Sequence, residues 1–134
     1  MTLKKVAVNN SHAARWKHEK LFSRGYLAVP ISFLEHYANL KKFGGLTHAE
    51  AMFILQVMSF KWGERAPFPS YATLAKRMGT GPKTIQRQAK ALEDKGYLIR
   101  QKRQGRSNAF ELTPLFDLLL EAVVAQEGVL SRAA

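Results

Sequence analysis

The chain has 134 residues, 46% of them apolar, enough to bury one core of ordinary size and to form a single domain with tails. It contains no cysteine, which excludes disulfides and zinc-thiolate sites, and no stretch of about 18 uncharged apolar residues to cross a bilayer. Its formal charge of +11 attracts polyanions, and residues 67–111 concentrate that charge, with ten Lys and Arg against three acids.

Residues 1–20 mix basic and polar side chains without a period and read as a basic flexible arm, with Trp16 and Phe22 anchoring its end. Lys4 and Lys5 are followed by polar sequence rather than by a signal-peptide core, so a cytoplasmic location is expected. Pro30, at a first helical position, opens a short helix through Leu34 and Tyr37, and residues 41–45 form a loop. Thr47 with Glu50 three residues on is a capping box, in which each side chain satisfies a backbone N–H of the other. The helix that follows is apolar almost all the way round, from Ala51, Met52, Phe53 and Ile54 to Phe60. That pattern predicts a core helix ending near Gly63.

Pro67 to Pro69 must be extended, because prolines and the residues before them resist helix. Ser70 then caps a helix over Tyr71 to Met78 with Leu74 and Met78 on its inward face. Gly79 supplies the left-handed residue that ends it, and Gly81-Pro82 starts another helix at once. Two short helices joined by so tight a turn make a helix-turn-helix. At about 100° per residue, with Ile85 at zero, Ala89 falls near 40° and Leu92 near 340°. Gln86, Lys90, Lys83 and Arg87 fall near 100°, 140°, 160° and 200°, on the opposite face, and Thr84 lies at its edge. Such a stripe of donors suits the major groove of DNA, where Arg and Lys donate to guanine and Gln pairs with adenine.

Tyr97-Leu98-Ile99 has strand character, and Ala109 to Leu112 reads as a returning strand. Between them lies a polar loop around Gly105 that carries Arg100, Lys102, Arg103 and Arg106. Helix, turn, helix and a basic hairpin, in that order, predict a mainly α fold with a small β-hairpin wing, the winged helix-turn-helix. Thr113 and Pro114 begin a last helix. The expected organisation is therefore an arm over 1–20, the winged-helix domain over 21–113 and a C-terminal helix over 114–134. That helix packs on the domain or forms a homodimer contact.

The segment Pro69-Ser70-Tyr71-Ala72-Thr73-Leu74-Ala75-Lys76-Arg77-Met78-Gly79 carries a resemblance, continued by Lys83-Thr84-Ile85-Gln86-Arg87 and Leu92-Glu93-Asp94-Lys95-Gly96-Tyr97-Leu98. It resembles the winged-helix domains of bacterial, plasmid and phage replication initiators. Val29-Pro30 and Leu46-Thr47-His48-Ala49-Glu50 are similar to the N-terminal domain of the primosomal protein DnaD. Gly81-Pro82 departs from the Ser or Thr that caps the second helix in many relatives. The resemblance implies that Lys83, Thr84, Gln86, Arg87 and Lys90 face the DNA groove, with Ser70, Tyr71 and Thr73 near the flanking backbone. It places Arg100, Lys102, Arg103 and Arg106 on phosphates or in the minor groove.

The expected partner is double-stranded DNA, in replication initiation or plasmid or phage maintenance. Transcriptional control of the winged-helix type is the alternative, and a protein-protein assembly module is the alternative of another class. If six to eight cations meet phosphates, log K falls against log salt with a slope of about −5 to −7. No enzyme, cofactor or metal is expected. His12, His18, His36 and His48 are scattered without ligand spacing, and Gly79 to Thr84 lacks the preceding strand of a phosphate-binding loop.

Overall fold

The computed structural model describes residues 14–40, 44–61 and 63–133. In chain order these form α1 (Ile31–His36), α2 (His48–Met58), α3 (Tyr71–Met78), α4 (Pro82–Asp94), β1 (Ile99–Gln101), β2 (Ala109–Glu111) and α5 (Thr113–Ala133). Short 3-10 turns lie at Glu19–Phe22 and Tyr37–Asn39.

The capping box forms as the sequence predicts. Thr47 N donates to Glu50 Oε1 at 2.9 Å, and Glu50 N donates to Thr47 Oγ1 at 3.1 Å. Helix α2 then buries Ala51, Phe53, Ile54 and Val57, but Met52 faces solvent and the helix stops at Met58 rather than near Gly63. Ser59 terminates it by turning its hydroxyl back onto the Gln56 carbonyl at 2.6 Å. Pro30 stands one residue before α1, with extended backbone, rather than inside it. Of the expected arm, residues 1–13 lie outside the described residues; Trp16 is exposed, while Phe22 is half-buried.

Helices α3 and α4 pack against each other and against α2. Ser70 caps α3, its hydroxyl accepting from Thr73 N at 3.0 Å. Gly79 closes the helix at φ 66° and ψ 37°, a left-handed conformation that costs other residues roughly 1–2 kcal/mol. Helix α4 ends in paired backbone bonds, Tyr97 N to Leu92 O and Gly96 N to Glu93 O, both 3.0 Å, which release the chain into the hairpin. The hairpin is antiparallel, with Ile99 opposite Glu111, Arg100 opposite Phe110 and Gln101 opposite Ala109. A backbone bond outside the ladder also ties it to the segment before α3. Phe110 N donates to Pro67 O at 2.8 Å, so the extended stretch before α3 lies beside β2.

A single core joins these elements. Phe33, Phe53, Ile54, Val57, Leu74, Ile85, Ala89, Leu92, Tyr97, Leu98, Phe110 and Leu115 are its fully buried members. Phe53 and Phe110 meet edge to face at 6.0 Å, which holds the hairpin base on α2. Tyr97 is wholly buried, and burial raises its hydroxyl above the ordinary phenol range, opposed by an N–H bond from Gly45. Leu118 and Leu119 of α5 join the core, and α1 lies alongside α5, with His36 Nε2 3.2 Å from Gln126 Oε1.

Glu50 also joins α2 to the end of α4. Lys95, the residue after α4, reaches it with Nζ at 2.9 and 2.8 Å from the two carboxylate oxygens. The N-terminus of the core helix is thereby tied to the C-terminus of α4.

Candidate nucleic-acid interface

The amphipathic division of α4 is complete. Ile85, Ala89 and Leu92 are fully buried, and Lys83, Thr84, Gln86, Arg87 and Lys90 are exposed. Lys83, Gln86, Arg87 and Lys90 emerge together along one wall of a cleft of about 490 Å³, whose other wall is Lys102 and Asn108 of the hairpin. Tyr71 and Arg100 also line it, joined by the bond from Arg100 Nη1 to the Tyr71 hydroxyl. Gly81 caps α4 without a side-chain hydrogen bond, as its lack of a side chain requires, and Pro82 takes the first helical position. Lys90 has a partner, Asp94 Oδ1 at 3.4 Å, but both side chains are about two-thirds exposed, so the pair is weak and breaks at little cost to a competing phosphate.

The four hairpin cations divide into two kinds. Arg100 lies in β1, not in the loop, and points back onto the domain. Its Nε and Nη2 donate to Glu93 Oε1 at 3.0 and 2.7 Å, its backbone N donates to Glu93 Oε2 at 3.2 Å, and its Nη1 donates to the Tyr71 hydroxyl at 3.2 Å. The same hydroxyl accepts from Asn108 Nδ2 at 3.2 Å, so one oxygen links α3 to both strands' ends of the hairpin loop. Arg103 lays its guanidinium over the Phe68 ring, 4.3 Å from the centroid, a stacking contact that holds the loop to the segment before α3. Lys102 and Arg106 are left exposed for a ligand.

Around α3 the three expected residues are also partly committed. The Ser70 hydroxyl caps the helix and donates to Thr73 Oγ1 at 2.9 Å, and Tyr71 serves the Arg100 and Asn108 contacts. Ser70, Tyr71, Gly105 and Arg106 nevertheless line a second open cleft on the other flank of the hairpin loop. Sequence reasoning missed Glu93 and Asn108. Glu93 is four residues beyond Ala89 on a helix edge, a place where a carboxylate commonly faces water, so only the fold reveals its partner.

The arginine beside it holds the Glu93 carboxyl below the ordinary glutamate range, and Glu93, then Tyr71, raises the Arg100 guanidinium. The sign follows from linkage: a depressed carboxyl contributes stability above its unfolded value, which is lost as pH falls through the folded value. Wild type is therefore expected to lose more thermal stability than Glu93→Gln between about pH 6 and about pH 3. Parallel melting curves for the two would refute the pairing.

Residues 44–98 match the family model of a helix-turn-helix domain. The described hairpin completes the arrangement beyond that match. The fold is a winged helix-turn-helix. It is similar to the crystal structure of the N-terminal domain of DnaD protein from Geobacillus kaustophilus HTA426, with a TM-score of 0.62 and 24% identity over 91% of this chain and 96% of that one. No curated protein matches the chain. Among the described residues, no helix is long and apolar enough to cross a membrane, and no three His, Asp or Glu cluster as metal ligands.

Proposed function

We propose that this winged helix-turn-helix binds double-stranded DNA in the cytoplasm, with α4 in the major groove and the hairpin loop on the flanking backbone. One observation carries the reading: Lys83, Gln86, Arg87 and Lys90 share a single cleft wall opposite Lys102. The wall combines donors for base edges with cations for phosphates, and a helix is the element that the major groove admits. The role we infer is replication initiation or plasmid or phage maintenance, rather than transcriptional control. Its support is the resemblance to replication initiators, together with the likeness in fold to the DnaD domain.

Around this cleft five exposed cations face a ligand, Lys83, Arg87, Lys90, Lys102 and Arg106, whereas Arg100 is paired with Glu93 and Arg103 is half-buried against Phe68. Counterion release from these five contributes about −4.5 to the slope of log K against log salt. Fluorescence anisotropy with a labelled duplex between low and moderate salt measures it, and a flat response would sink the reading.

A second reading, self-association through the outer face of α5, is favoured by Leu120 and Val124, 61% and 57% exposed on a helix whose opposite face is core. Sedimentation equilibrium of Leu120→Lys beside wild type decides it. Identical monomer masses for both would remove the homodimer.

A further inference from the structure

A second basic surface lies apart from the cleft between α4 and the hairpin. Beside the last turn of α3, Arg24, Lys61 and Arg77 converge on a cleft of about 340 Å³ that Tyr26 and Ser59 also line. It shares no lining residue with the first cleft, and none of its lining residues is acidic. Tyr71 at the start of α3 faces one site and Arg77, six residues on, faces the other, about 9 Å further along the axis.

Arg77 is held ready there. Its guanidinium lies 4.3 Å from the centroid of the Phe60 ring, and Nη1 donates to Ser59 Oγ at 3.0 Å. Lys61 Nζ donates to the Arg65 carbonyl at 3.1 Å. These partners orient the cations without neutralising them. Among the described residues the ion pairs are Lys90 with Asp94, Lys95 with Glu50 and Arg100 with Glu93, so Arg24, Lys61 and Arg77 take part in none. Like charges gathered on one concavity repel until an anion enters, and the concavity focuses their field on it.

We propose that this cleft is a second site for the phosphodiester backbone of nucleic acid. The line of charge leading into it favours a polymer over a compact ion: Arg15, Lys17 and Lys20 precede Arg24 on an exposed segment in which Glu19 is the one acid of residues 14–25. The inference rests on the DNA-binding reading and extends it to flanking or second-duplex backbone.

The test uses the full chain with Arg24→Ala and Lys61→Ala together, leaving Arg77 because it packs on Phe60. The pair should make the salt slope shallower by about 1.8 and weaken duplex binding at low salt by about tenfold or more, equally for every sequence. The melting temperature should not move. The same loss should recur on top of Lys83→Ala with Arg87→Ala, which separates the two sites. Failure of the first site would instead leave binding unaffected by the α4 pair and still sensitive to Arg24 and Lys61. An unchanged slope and affinity in both backgrounds overturns the proposal. So does an NMR titration in which inorganic phosphate shifts the Ser59 and Arg77 amides while the DNA slope stays the same, because the cleft then takes a free anion.

Discussion

Replacing Lys83 and Arg87 together by alanine is expected to weaken duplex binding by 2–6 kcal/mol, about 30-fold to 10⁴-fold, while the fold survives. Both side chains are exposed and neither has an ion-pair partner among the described residues, so their removal leaves no buried group unsatisfied. The magnitude follows from two lost donors at roughly 1–3 kcal/mol each if they reach base edges. A base-reading loss differs between preferred and scrambled duplexes, and a phosphate loss does not. Lys90→Ala should cost less than this pair, since it removes one cation rather than two. Anisotropy titrations on both duplexes, with circular dichroism to verify folding, make the check; affinity within twofold of wild type would disprove the placement of α4 in the groove.

A large effect on stability is expected at Glu50, which is 6% exposed. Its carboxylate accepts from Thr47 N at 2.9 Å and from Lys95 Nζ at 2.8 and 2.9 Å. Glu50→Ala removes half of the capping box, at roughly 1 kcal/mol, and strands a partly buried ammonium. The sum is about 2–4 kcal/mol, or a fall of the order of 10 °C in melting temperature for a domain of this size. Glu50→Gln keeps an acceptor for Thr47 N and should recover part of that loss. Thermal melts of the three proteins test it, and a change below about 0.5 kcal/mol for the alanine variant would show that Lys95 is not held by this contact.

The helices were legible in the sequence because their ends are written in local chemistry. Thr47 with Glu50, Ser70, Gly79 and Pro82 each act within four residues of where they stand. The donor stripe of α4 was legible for the same reason, since a helix fixes which residues share a face. What was hidden depends on residues far apart in the chain. Glu50 and Lys95 are 45 residues apart, and Tyr71 lies 29 from Arg100. No local period distinguishes an arginine that will meet phosphate from one that folds back onto a carboxylate, so Arg100 and Arg103 read like Lys102 and Arg106. The early end of α2 was hidden as well. Phe60 continues the apolar run, yet it serves as the platform on which Arg77 stacks, outside the helix.

The bonds that converge on the Tyr71 hydroxyl and on Glu93 have a consequence for how association is divided between enthalpy and entropy. With β1 locked to α4 and the loop braced on Phe68, the hairpin and α4 form one preorganised jaw. Ordering on DNA is then confined to the rotamers of Lys102, Arg106 and the side chains of α4, at about 0.5–1.5 kcal/mol each, with no hinge to close. Loosening the jaw with Glu93→Ala would shift that ordering into the binding step. It would appear as a less favourable entropy in calorimetry on an otherwise unaltered set of DNA contacts.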